Sequence, residues 1–215
     1  MTPYFWNKQT KKKVSNAAYQ IGVSIDDISP SEEEIETRRI FMGGYGFLGF
    51  RDGPIPKPAR GVHDPIWARS MAIENGNTTL VTTVIDTTGI TNILLDKIRL
   101  AASEEIGVPV TNILIGATHT HSGPDLQGLW RYITDSYEAF VINGTVNSIV
   151  NAYRTRKPAK LFVSGAVGYA SNRRGWDYTD TEITVLDAID LEGKRIGTLI
   201  NFAAHTTAIG RDNLE

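Results

Sequence analysis

Cysteine is absent from all 215 residues. Disulfides, thiolate metal ligands and a cysteine nucleophile are therefore excluded. The compartment stays open, because secreted proteins without cysteine are common. Long apolar runs are missing as well: none approaches the roughly 20 residues that carry a helix across a bilayer. The N-terminal MTPYFWNKQTKKKVSN lacks the charged-then-apolar order of a signal peptide. Neither sign of charge dominates, with a formal net charge of -2 and a pI near 6.1. Nothing in that balance draws the chain to nucleic acid or an anionic membrane. The basic cluster KQTKKK at 8–13 lies in a polar arm and reads as a solvated tail.

What the chain does have is the composition of an ordinary globular protein, 41% hydrophobic and 21% charged. At this length one core is the simpler organisation. After an arm expected to be disordered or frayed over 1–16, AAYQIGVSIDDISP reads as a strand stopped by Pro30. SEEEIETRR suits a short helical turn. The stretch 41–65 is too dense in glycine and proline for a regular element, and its aromatics point to packing. IWARSMAIEN and TTLVTTVID flank Gly76-Asn77 as a hairpin. Apolar residues at helical spacing (Ile93, Leu94, Ile98, Leu100, Ala101) and a stop at Gly107 predict a helix over 91–107. A second amphipathic helix is expected over 135–156, ended by Pro158. KLFVSGAVGYA, TEITVLDAID and RIGTLINFAAH close the chain as strands, the last two joined by the turn LEGK. Strands interleaved with helices predict an α/β fold, a layered domain with a mixed β-sheet flanked by helices, and no boundary divides 17–215.

Histidine is scarce, four in the whole chain, yet two fall in NILIGATHTHSGP at 112–124. If the strand runs on through them, alternation puts His119 and His121 on one face. TTLVTTVID ends at Asp86 and TLINFAAH at His205, so three strands deliver a carboxylate or an imidazole at their carboxyl ends, where ligands bind in open α/β sheets. Imidazoles converging from separate strands suit a metal with nitrogen preference. Catalytic zinc takes about three protein ligands and keeps a position for water. Both members of the pair need not bind it; one can ligate while its neighbour donates to a developing oxyanion. Plainer readings exist for each residue. His205 can be a strand-end histidine bonded to backbone, and His63 can cap a turn with Asp64. Arg173 and Arg174 can be surface charges. Ser122 lacks the G-x-S-x-G elbow of a nucleophile.

GVHDPIWARSMAIE, THTHSGP, SNRR and NFAAHTTAIG, in that order, resemble the N-terminal catalytic domain of the neutral/alkaline, non-lysosomal ceramidase family, from about residue 22 to the end. The resemblance implies a zinc amidase that splits the N-acyl bond of ceramide. It implies zinc ligation by His119 and His205, with His121 and Arg173 beside the metal as catalytic groups contacting the amide. His63, Asp64 and Ser122 would touch the substrate or support the ligands from behind. The family's other ligands, a glutamate and a tyrosine, fall downstream of the NFAAH segment and match no residue here. The expectation is therefore the N-terminal part of a longer enzyme, incomplete at its C-terminus and inactive alone, whose full form is periplasmic or secreted. Its partner would be a lipid, ceramide or a related N-acyl compound. Tyr45, Phe47, Leu48, Phe50, Leu129, Trp130 and Tyr132 would line an apolar pocket or pack the core. Two alternatives remain: a catalytically incomplete lipid- or glycan-binding domain, or a metal hydrolase for another amide substrate. Nothing in the sequence sets an oligomeric state.

Overall fold

A computed structural model describes residues 13–14, 18–44, 57–131, 133–207 and 214. Strands β1 (Lys13–Val14), β2 (Tyr19–Asp27), β3 (Trp67–Asn75), β4 (Thr78–Ile85), β5 (Ile113–Ala117), β6 (Lys157–Val167), β7 (Glu182–Asp190) and β8 (Arg195–Phe202) form one sheet. Its order is β5-β4-β3-β2-β6-β7-β8, with β1 paired to β6. Among the described residues three α-helices accompany it, α1 (Glu32–Glu36), α2 (Asn92–Ile106) and α3 (Asp135–Arg154). The β4–β5 pair is parallel and the other pairings are antiparallel, so the mixed-sheet α/β class expected from the sequence is the class observed. Within the arm expected at 1–16, Lys13–Val14 pair with Val163 and Phe162 of β6.

Local chemistry accounts for most element ends. Asn75 and Thr78 pair directly across a two-residue link whose Gly76 takes φ 58°, the left-handed geometry such hairpins need. Thr91 and Thr134 accept the Leu94 and Tyr137 N–H groups as N-caps of α2 and α3. Gly107, at φ 69°, closes α2. Ser31 and Glu34 form a reciprocal capping box on α1. At its other end the Arg39 N–H bonds Glu34 O and the Arg38 N–H bonds Ile35 O, a Schellman closure with Arg38 at φ 53° where glycine is the usual residue. A non-glycine residue there costs about 1 kcal/mol. Helix α3 stops two residues short of the expected Arg156, because Thr155 caps it and β6 begins at Lys157 opposite Ile21. Pro158, expected to follow a helix, sits near the start of a strand, where a missing N–H is tolerated.

Alternation along the strands builds two layers of packing. Ala68 and Ala72 of β3, with Val81 and Ile85 of β4, face Leu94, Ile98, Val141 and Ile149 of the helices. Tyr137 is fully buried there and its hydroxyl donates to Ile28 O at 2.8 Å; burial pushes its pKa well above the ordinary phenol value. On the opposite face Ile21 and Met71 pack with Ala159, Leu161 and Ala188. A Cβ on Gly197 of β8 would lie 2.7 Å from Val23 Cγ1 and 3.4 Å from Met71 Cε. The sheet therefore curls until β8 lies over β2 and β3. Among the described residues no helix is long and apolar enough to cross a membrane.

Gly22 is where α3 sits closest to the sheet. A Cβ there would overlap Ala152 O and approach Arg156 N to 2.8 Å. These are backbone atoms of a packed helix end and cannot swing aside. Gly22→Ala should destabilise the domain by about 3 kcal/mol, the upper range for overpacking, and lower Tm by about 6–12 °C. Thermal unfolding followed by circular dichroism measures this; an unchanged Tm would mean α3 is free to lift from β2.

Candidate metal centre

Strand β5 ends at Ala117, and Thr118 still donates its N–H to Ile85 O of β4 at 3.0 Å. The chain then turns at His119, which takes φ 60°. The strand expected to run through His121 is not formed, so alternation does not align the two imidazoles. The turn brings them together instead, with ring centroids 5.1 Å apart at 83°. His205 lies three residues beyond the end of β8, and its ring is 4.9 Å from His119 and 4.8 Å from His121. Thr206 Oγ1 donates to Thr118 O at 3.2 Å, tying the segment after β8 to the end of β5.

The route to convergence also differs from the expected one. β4 and β5 are parallel, but the pairings run β8 in the opposite direction. Their carboxyl ends do not share an edge; the curl of the sheet carries His205 across. Asp86 is at the end of β4 as foreseen, yet its carboxylate is held by the Trp67 N–H at 3.0 Å and by Arg69 at 2.6 Å. It anchors β3.

Each imidazole is fixed differently. His119 Nδ1 lies 2.5 Å from Thr88 O. A carbonyl only accepts, so Nδ1 carries the proton and Nε2 keeps its lone pair. His205 Nδ1 lies 3.2 Å from Thr207 Oγ1, again leaving Nε2 uncommitted to that contact. His121 is buried, 9% exposed, and its ring rests on Gly44, at φ 91°, where a Cβ would meet Cε1 at 2.7 Å and overlap Nδ1 and Cγ. Its pKa is lowered by burial, then by His205 and His119, against an opposing hydrogen bond to the Gly44 backbone. Together these effects favour the neutral imidazole. The loop that seats it is pinned by a Met42–Pro124 bridge and by the Gly43 N–H to Gly123 O bond at 2.9 Å. A Cβ on Gly43 would overlap Thr88 Oγ1.

One nitrogen from each ring lies within 4.8 Å of the other two. Tetrahedral zinc with bonds of about 2.0–2.1 Å spaces its ligands by about 3.3 Å, so modest side-chain rotations close these three around one ion. Neutral imidazoles suit zinc and the later transition metals, and the donor set fits a metal.

The remaining predicted residues lie outside this group. His63 and Asp64 pair with each other at 3.2 Å on the surface, with side chains 73% and 90% exposed. Ser122 is half-buried and donates its N–H to Thr120 Oγ1. Arg173 is exposed in a turn between β6 and β7 organised by Asn172, which accepts the Arg174 N–H through its side chain and the Gly175 N–H through its carbonyl. The base of that loop, Gly168, packs on Phe202, three residues before His205. Tyr45, Phe47, Leu48, Phe50, Tyr132 and residues 8–12 lie outside the described residues. The sequence reading missed Thr88, Gly43 and Gly44; the glycine pair in FMGGYG was the available signal.

A layered α/β domain with a three-histidine cluster in the loops beyond its strands is the class that fold and site define. The family description "Neutral/alkaline non-lysosomal ceramidase, N-terminal" matches residues 19–215, and the chain belongs to that family. It is 25% identical over 226 residues to the neutral ceramidase of Pseudomonas aeruginosa, covering 94% of this chain and 32% of that protein. Neutral ceramidase B of Dictyostelium discoideum is 24% identical, with 96% and 31% covered. The crystal structure of the Pseudomonas aeruginosa neutral ceramidase superposes with a TM-score of 0.75 at 23% identity, over 91% of this chain and 33% of that one. The chain thus spans about a third of the length of these relatives.

Proposed function

We propose that His119 and His205 help to hold a zinc ion in an amidase that hydrolyses the N-acyl bond of ceramide-like lipids. The supporting observation is the meeting of three histidines, far apart in the chain, within 4.8 Å in a member of the ceramidase family. His119 and His205 present Nε2, each with Nδ1 engaged elsewhere. Zinc, when bound, supplies a Lewis acid and a water that ionises near neutral pH. His121, seated on Gly44, acts on the amide carbonyl as negative charge develops on its oxygen. Arg173, in the loop beside Phe202, balances that charge from the other side. His63, Asp64 and Ser122 take supporting places once substrate is bound. The work of the full protein outside the cytoplasm belongs to the same proposal and is checked by cell fractionation.

The test is metal content and turnover in the full chain. Plasma mass spectrometry should find zinc in stoichiometric amount, a chelator should abolish hydrolysis of a fluorescent N-acyl sphingosine, and added zinc should restore it. Undiminished hydrolysis after complete metal removal would refute the proposal.

A further inference from the structure

Away from the histidines, a cavity of about 240 Å³ is lined by Arg38, Arg39, Phe41, Arg131, Ile133 and Thr134. Three of its six walls are guanidinium side chains, brought together from the end of α1 and the approach to α3. Among the described residues none of the three forms an ion pair with a carboxylate. Glu34, the nearby acid, has its carboxylate on the Ser31 N–H and hydroxyl and on the hydroxyls of Ser136 and of Thr134, a residue of the cavity wall. Three guanidiniums gathered with no ion pair among the described residues repel one another, and a fold that needed only a helix end here would not collect them.

Two features hold the cluster in place. Arg131 has its backbone N–H on the buried Asp125 carboxylate at 3.2 Å and its guanidinium over the Phe41 ring, 4.9 Å from the centroid. Stacking of that kind fixes the plane of a guanidinium and leaves its edge N–H groups free to point outward. Arg38 occupies the left-handed position of the Schellman closure at φ 53°, where glycine would relieve strain. An arginine there is retained against the preference of the backbone, which is the kind of outlier that argues for a use.

We propose that this cavity binds a doubly charged tetrahedral oxyanion, a phosphate or sulfate group. Paired N–H groups on planar guanidiniums match the edges of such an anion. The group is either a free anion or one carried on a lipid headgroup; the chemistry of recognition is the same. The site is separate from the histidine cluster and stands whichever metal that cluster takes.

Calorimetric titration of the full chain with inorganic phosphate tests one source. Co-sedimentation with phosphatidylcholine vesicles, with and without phosphatidic acid, tests the other. Saturable binding in either arm is expected, uncompeted by acetate at equal ionic strength. Arg38→Gly should weaken it about tenfold while raising Tm by about 2–4 °C. Arg39→Gln and Arg131→Gln should weaken it about tenfold with Tm unchanged. Binding to inorganic phosphate alone identifies a free anion, and binding to phosphatidic acid vesicles alone a headgroup. Absence of binding in both arms overturns the proposal, as does binding that survives in Arg38→Gly and Arg131→Gln. So does a lowered Tm in Arg38→Gly, which would make Arg38 a residue of the fold.

Discussion

Alanine at His119 should strip the metal from the full chain and reduce amide hydrolysis by at least about 10³-fold. A partner that merely supports a metal ligand is worth about 10–100-fold, so the ligand itself must be worth more. The reason to choose His119 is its fixed tautomer: the bond from Nδ1 to Thr88 O commits Nε2 to an outside partner. His205→Ala should behave in the same way, because the proposal makes it the second ligand, brought from a distant segment to 4.9 Å from the His119 ring. His121→Ala should not. With His121 acting on the substrate carbonyl, its loss should lower kcat by about 10²–10³-fold, the range for one oxyanion donor, and leave zinc near stoichiometric. Metal analysis and steady-state kinetics on the three variants separate the roles. Wild-type zinc content in both His119→Ala and His205→Ala would sink the assignment, and zinc lost from His121→Ala would make His121 a third ligand.

Some of this arrangement was legible in the sequence and some could not be. Hairpin, helices and closing strands follow from short-range signals: Gly76 between two alternating runs, threonine caps at 91 and 134, and a glycine at 107. The H-x-H pair pointed to rings that the fold brings together with His205, but for a reason that does not hold. Its two rings meet because His119 leaves the extended region at φ 60°, and the enrichment of histidine at positive φ is too weak to mark one residue of the pair in advance. The approach of His205 depends on how far the sheet curls, which is set by contacts such as Gly197 on Val23 between strands far apart in sequence. Asp86 shows the opposite error. It stands at a strand end, as a ligand would, and is consumed by Trp67 and Arg69. Spacing locates candidates; what each side chain is already bonded to decides among them.

Gly44 offers the sharpest test of that last point, since it has no functional group at all. Alanine there meets two obstacles. The backbone sits at φ 91°, outside the regions open to L-residues, and the new Cβ would fall within 2.7 Å of His121 Cε1 and closer still to Nδ1 and Cγ. His121 must then rotate away from its neighbours, now 5.1 and 4.8 Å distant. A misplacement of about 1 Å in a catalytic group can cost about 10²-fold, so Gly44→Ala should lose activity on that scale while keeping most of its zinc. Backbone strain alone would destabilise the fold by about 1–2 kcal/mol, and a control isolates that part. Gly107 is also left-handed, at φ 69°, but a Cβ on it meets nothing within 4 Å. Gly107→Ala should therefore lower Tm and leave kcat unchanged. Equal kcat in the two variants would show that the seat of His121 does not govern the chemistry. A fall confined to Gly44→Ala would place the imidazole's position, rather than its mere presence, in control of the rate.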